Sequence, residues 1–252
     1  MAASDYGYYR SDGIQNSGTA LRQNGNAYIY NSAGQIYPRQ VTETDVSIID
    51  IADNVSYQCM TLRSGYNSNV EKGSWRTDVA YQGFYWGSDG QSQQSCGHFF
   101  SSAGKPSVGG SNVIDFRVKY VRIEMNRRNG AGYYNNDAVG HLRMSNLINC
   151  YAGGNTSNPF RSGRWSELDQ SLLNAYDYTF NWLPSGNITV LESGDPNSAL
   201  CQFIKSFLSD GRAKTLCVYN GEMNVRPFSR NYAACDNDKF RISIKVDRTV
   251  QL

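Results

Sequence analysis

FRVKYVRIEM, residues Phe116 to Met125, decides the fold class. Phe116, Val118 and Tyr120 alternate with Arg117 and Lys119, and Val121, Ile123 and Met125 alternate with Arg122 and Glu124. A period of two marks a strand with one face toward a core. The two alternations are out of step by one residue. Because such a slip turns a whole face outward, the step between Tyr120 and Val121 predicts a β-bulge and a bent strand.

The same period recurs on either side. VSIIDIAD (Val46 to Asp53) is an apolar run of strand length, and VSYQCMTL (Val55 to Leu62) again changes phase part-way. FRISIKV (Phe240 to Val246) alternates cleanly, with Arg241, Ser243 and Lys245 expected toward water. TLCVYNGEMNV (Thr215 to Val225) has the near-continuous apolar half of a central strand, and its Asn220-Gly221 predicts a two-residue hairpin. One stretch reads firmly as a helix. In NSALCQFIKSFLSDG (Asn197 to Gly211), Leu200, Phe203, Ile204, Phe207 and Leu208 fall at helical spacing, with Asn197 or Ser198 as N-cap and Gly211 at the stop. A second helix is expected in SELDQSLLNAY (Ser166 to Tyr176), where Ser166 and Asp169 resemble a capping pattern. The expected class is mainly β: an antiparallel β-sandwich, jelly-roll-like, with one or two short helices.

At 252 residues one main domain with an arm is the default. Residues 1–52, rich in Tyr, Gly, Asn and Ser, bury little by themselves and are expected to be an N-terminal arm or assembly segment. Residues 53–252 form the expected sandwich domain. Charged residues make up only 18% of the chain, and Gly, Asn, Ser and 18 tyrosines fill the gap, so the surface is polar but uncharged. A net charge of +2 without a basic block gives no footprint for nucleic acid or an anionic membrane. MAASDYGYYRSDG has neither the charged nor the apolar region of a signal peptide, and no later run is long enough to span a bilayer, so synthesis in a cytosol without membrane insertion is expected. The sequons at Asn54, Asn155 and Asn187 are then expected to carry no glycans.

Cys59, Cys96, Cys150, Cys201, Cys217 and Cys235 form no C-x-x-C pair, and reducing synthesis favours free thiols. Cys96 and His98 are the one close Cys/His pair, but a structural zinc needs four ligands, so no metal is assigned. Nor is there a phosphate-binding loop, nucleophile elbow, H-E-x-x-H or dinucleotide fingerprint, and the only histidines are His98 and His141. Glu167, Glu192 and Glu222 are scattered carboxylates whose separations the sequence does not fix, and Glu124 reads as a solvated sheet-face group. No catalytic residue and no cofactor is expected, and the chain reads as a non-enzyme.

Binding is the remaining question. RRNGAGYYNND (Arg127 to Asp137) is too long for a tight hairpin and sets turn formers beside two tyrosines, a composition that adaptable contact loops favour. Aromatic rings stack on sugars and amides satisfy hydroxyls, so Trp75, Tyr81, Tyr85, Trp86, Tyr133, Tyr134, Asn135 and Asn136 are the candidate ligand-binding residues. Trp165 and Trp182 are assigned to the core.

The order of WRTDVAYQGFYWGSDGQSQQSCGHFF (Trp75 to Phe100), VIDFRVKYVRIEMNRRNGAGYYNNDAVGHLRMSN (Val113 to Asn146), a helix with a Gly-rich exit and a last alternating strand resembles β-sandwich modules of tail-associated virion proteins of bacteriophages. The matching pieces are Gln82-Gly83-Phe84, Asn129 to Asn136 and Met144-Ser145-Asn146, within residues 53–252. His141 departs from the pattern by lying before the turn, and CGHFFSSAG is more polar than the corresponding strand. The resemblance implies a structural component of a phage virion, made in the host cytoplasm, in a tail, baseplate or fibre. It also implies other virion structural proteins as partners, a homo-oligomer in a symmetric particle, and a host-surface glycan as the ligand of the Tyr/Asn loops. A capsid decoration protein, a carbohydrate-binding module and a polysaccharide-degrading enzyme are the alternatives.

Overall fold

The structure is a computed structural model of the full chain. It describes residues 21–23, 26–30, 36–38, 40–50, 57–65, 68–76, 79–86, 92–101, 104–127, 139–146, 172–183, 186–220 and 231–251. Side chains are described for 40–50, 97–101, 104–125, 139–146, 173, 176–183, 186–218 and 240–251. In chain order the strands are β1 (Leu21–Gln23), β2 (Asn26–Tyr30), β3 (Ile36–Pro38), β4 (Gln40–Ile49), β5 (Tyr57–Gly65), β6 (Ser68–Arg76) and β7 (Val79–Trp86). They continue as β8 (Ser92–Phe99), β9 (Val113–Arg127), β10 (Val139–Ser145), β11 (Leu172–Asn181) and β12 (Ile188–Ser193). Helix α1 (Ala199–Ser209) precedes β13 (Thr215–Asn220) and β14 (Asn231–Gln251).

Two compact units are distinguished: residues 1–46, 107–117 and 246–252 form the smaller, and residues 47–106 and 118–245 the larger. The larger unit is an antiparallel β-sandwich of jelly-roll connectivity. One sheet runs β11-β10-β13-β8 and the other β7-β14-β9-β12. Counted from β7 as the first of eight, these are the fifth, fourth, seventh and second strands, against the first, eighth, third and sixth. Interleaving of this kind is what two Greek keys produce. The layers share an origin in β7 and β8. Ser92 to Ser95 of β8 pair with β7, whereas Gly97 to Phe99 pair with β13, so the two strands leave their connection as one ribbon and then part. On its other edge β8 carries β5, which in turn pairs with β6.

Between the layers the alternations are realised as side chains. Val121, Ile123 and Met125 of β9 and Phe240, Ile242 and Ile244 of β14 are buried, as are Leu142 and Met144 of β10 and Leu216 and Val218 of β13. Phe99 of β8 and Phe240 of β14 meet at 4.5 Å between ring centres, joining one sheet to the other. At roughly 1.5 to 3 kcal/mol for each fully buried large apolar side chain, this layer dominates the folding free energy. Phe100, just past β8, has a left-handed backbone (φ 63°), and its ring stacks on Phe207 of α1 at 5.8 Å.

Helix α1 forms where the spacing predicts it. Ser198 is the N-cap, its hydroxyl accepting from the Cys201 amide at 3.2 Å, and the helix ends at an Asp210 cap ahead of Gly211. Its buried face, Leu200, Cys201, Phe203, Ile204, Phe207 and Leu208, lies against β11 and β12, the terminal strands of the two sheets. A helix over the open side of a sandwich shields apolar surface where hydrogen-bonded closure is missing.

Three expectations change. Leu172 to Tyr176 belong to β11, so the second helix does not form there; Tyr176, Tyr178 and Phe180 alternate with exposed Asp177 and Thr179, and strand pairing with β10 overrides the capping pattern. Residues 166–171 of that stretch lie outside the described residues. The expected hairpin at Asn220-Gly221 falls on residues 221–225, which lie outside the described residues; β13 and β14 themselves lie in different sheets. The phase change in β9 falls between Val118 and Val121, with Tyr120 on the outer face rather than the inner. Ser243, expected toward water, is buried, while Arg241 and Lys245 are exposed as expected.

The smaller unit contains the three-stranded sheet β1-β2-β3 and β4, which pairs with β14. Its described polar contacts centre on Asp247 and Arg248. Buried Asp247 accepts from Arg117 Nε and Nη2 at 2.9 and 2.7 Å and from the amide of Asp45 at 3.0 Å. Arg248 donates to Glu43 at 2.6 Å and to the Val108 carbonyl at 2.7 Å. Thus residues 21–49 of the expected arm include four strands.

Candidate functional site

Strand registers gather eight strand ends at one end of the sandwich. Trp86 pairs with Ser92, Phe84 with Asn231, Gly140 with Asn220, Val139 with Asn181, and Ile188 with Asn126. Residues 87–91, 128–138, 184–185 and 221–230, which lie outside the described residues, are joined to the chain at these ends. Loops at one end of a rigid sandwich are where binding residues are most often carried.

Of the eight candidate residues, Tyr85 and Trp86 stand at this end by register, opposite Gln93 and Ser92. Tyr81 pairs with Ala234, and Trp75 with Met60, which itself pairs with Cys96, so both lie further along their strands. The side chains of these four are outside the described residues, as are Tyr133, Tyr134, Asn135 and Asn136 altogether.

Exposed apolar side chains stand at this end beside exposed Asn181 and Asn187. Val139, Leu183 and Ile188 are exposed, and Leu183 donates its amide to Thr189 Oγ1 at 3.0 Å, tying the exit of β11 to the start of β12. Beneath them Trp182 is 4% exposed, confirming its place in the core, with its ring edge-on to Phe180 at 5.0 Å. Its indole Nε1 has no hydrogen-bond partner. Gly140 makes room for both rings, since a Cβ there would meet the Phe180 ring and stand 2.6 Å from Trp182 Nε1. A buried donor without an acceptor is uncommon and costs roughly 1 to 3 kcal/mol.

A second group lies on the outer face of β9, β12 and β14. Val190 pairs with Glu124 and Glu192 with Arg122, so the outward side chains of β12 share a face with those of β9. Tyr120 donates to Glu192 Oε1 at 2.6 Å. Arg122 donates to Glu192 Oε2 at 2.6 Å and, through Nε and Nη2, to Glu124 at 2.9 and 2.6 Å. Lys245 stands 5.8 Å from the centre of the Tyr120 ring. Donation to the Glu192 carboxylate is the main cause that raises the Tyr120 hydroxyl above its ordinary pKa. Glu124 is therefore a paired sheet-face carboxylate.

The histidines take separate parts. His98 is wholly buried with Nδ1 3.2 Å from Thr215 Oγ1, and burial lowers its pKa from 6.5 to about 3, so the ring is neutral. His141 Nδ1 lies 3.0 Å from Asp177, which also accepts from Arg143 at 3.2 Å. Cys201 and Cys217 are buried free thiols. Among the described residues no cluster of three His, Cys, Asp or Glu side chains is disposed to hold a metal ion.

Sequence reading did not single out Val139, Leu183, Ile188 or Val190. In NITVLES, Ile188 and Val190 stand on the phase opposite Thr189 and Leu191, and apolar residues on both phases were the available signal of an apolar outward face. No protein-family model matches the chain, and no curated protein or solved structure matches it either.

Proposed function

We propose that this protein is a structural component of a virus particle, present in many copies and contributing a sandwich to the particle's built surface. The observation that supports the reading is the jelly-roll connectivity of β7 to β14, an architecture used by viral shell and lectin domains. Fold alone does not decide function, and three further features favour a structural role. The surface carries little charge, four of the five exposed large apolar side chains among the described residues lie at the loop end or on β12, and the carboxylates Glu124 and Glu192 on the outer sheet face are engaged by Arg122. A bacteriophage tail, baseplate or fibre is the finer form of this reading, carried by the sequence resemblance. A head or decoration position is its alternative.

A glycan-binding role at the loop end is the second reading. It is favoured by Tyr85 and Trp86 reaching the same end as Val139, Leu183 and Ile188. Its candidate residues are Tyr85, Trp86 and, on the segment joined to the chain at this end, Tyr133, Tyr134, Asn135 and Asn136, with the particle's attachment to a host surface as their use.

Gold-labelled antibody against the chain, applied to purified particles and viewed in negative stain, tests the first reading. Label at a tail end supports the fibre or baseplate form, label over the head supports decoration, and unlabelled particles overturn both. Titration of host-surface glycans against the full chain tests the second, where Trp86→Ala is expected to weaken binding and an unchanged affinity would remove Trp86 from the site.

A further inference from the structure

We draw no further inference here: the strongest candidate, the corner of the loop end where exposed Val139, Leu183 and Ile188 lie above the unpartnered indole Nε1 of buried Trp182, carries nothing because that nitrogen lies against Gly140 inside the core and nothing in the structure shows what covers the apolar side chains above it.

Discussion

Lys105 holds Phe207 at two points: its ammonium donates to the Phe207 carbonyl at 3.0 Å and stands 5.7 Å from the centre of the same residue's ring. It also donates to the carbonyls of Leu208 and Asp210 at 2.9 and 2.5 Å. The last carbonyls of a helix have no intrahelical donor, and a cation is favoured at that end of the helix dipole. A residue just past β8 thus caps α1 from a distance.

Lys105→Met is expected to destabilise the fold by about 1 to 3 kcal/mol, the range for charge-assisted bonds, as read by urea unfolding. Lys105→Arg should keep part of that stability. A Lys105→Met protein with the wild-type midpoint would mean that water replaces the ammonium without cost.

His98 makes stability depend on pH. Its folded pKa, about 3, is below the 6.5 of the unfolded chain, so below pH 6.5 the unfolded state takes up a proton that the folded state refuses. Stability from this source is whole above pH 6.5 and is lost as pH falls toward 3, by ~4 kcal/mol across the window. Unfolding curves at stepped pH check this, with His98→Asn expected to flatten the dependence. An equally steep loss in that variant would assign the effect to carboxylates.

Gly140→Ala should destabilise the loop end by about 1 to 3 kcal/mol, because the added methyl would press on the Phe180 ring and the Trp182 indole. Gly194→Ala, where a Cβ would meet nothing within 4 Å, is the control. Tryptophan fluorescence should shift in the first variant and not in the second.

Asp45 and Asp247 give a paired test in the smaller unit. Asp45 has a left-handed backbone (φ 55°) while its amide donates to buried Asp247. Asp45→Gly keeps the amide that donates to Asp247 and relieves the left-handed backbone, so it should change stability less than loss of the Asp247 carboxylate. Asp247→Ala should cost about 1 to 3 kcal/mol by removing the acceptor of Arg117 and of that amide. Thermal unfolding of both variants checks the contrast.

Much of the fold was legible in side-chain period. Phe116 to Met125, Phe240 to Val246 and Leu200 to Leu208 each carried a pattern strong enough to place a face, and burial follows it at Ile123, Ile242 and Ile204. Local patterns misled where pairing partners decided the outcome. Leu172 to Tyr176 follow a capping-like run but are drawn into the sheet by β10. Tyr120 reads as inward by alternation, yet Glu192, seventy-two residues away, offers its hydroxyl an acceptor on the other side. The candidate site was legible only in part. Tyr85 and Trp86 lie where a ligand loop would want them, but the apolar end formed by Val139, Leu183 and Ile188 depends on strand registers that no local pattern states.

The parting of β7 and β8 also constrains how errors spread. Because β8 exchanges β7 for β13 part-way along, one strand sets the alignment of both layers at once. Sliding it by a single residue would misalign β7 in one sheet and β13 in the other together, so a mistake there leaves no half of the sandwich correctly assembled. The ribbon acts as a shared ruler, and the chain has one place where the whole fold is either in step or lost.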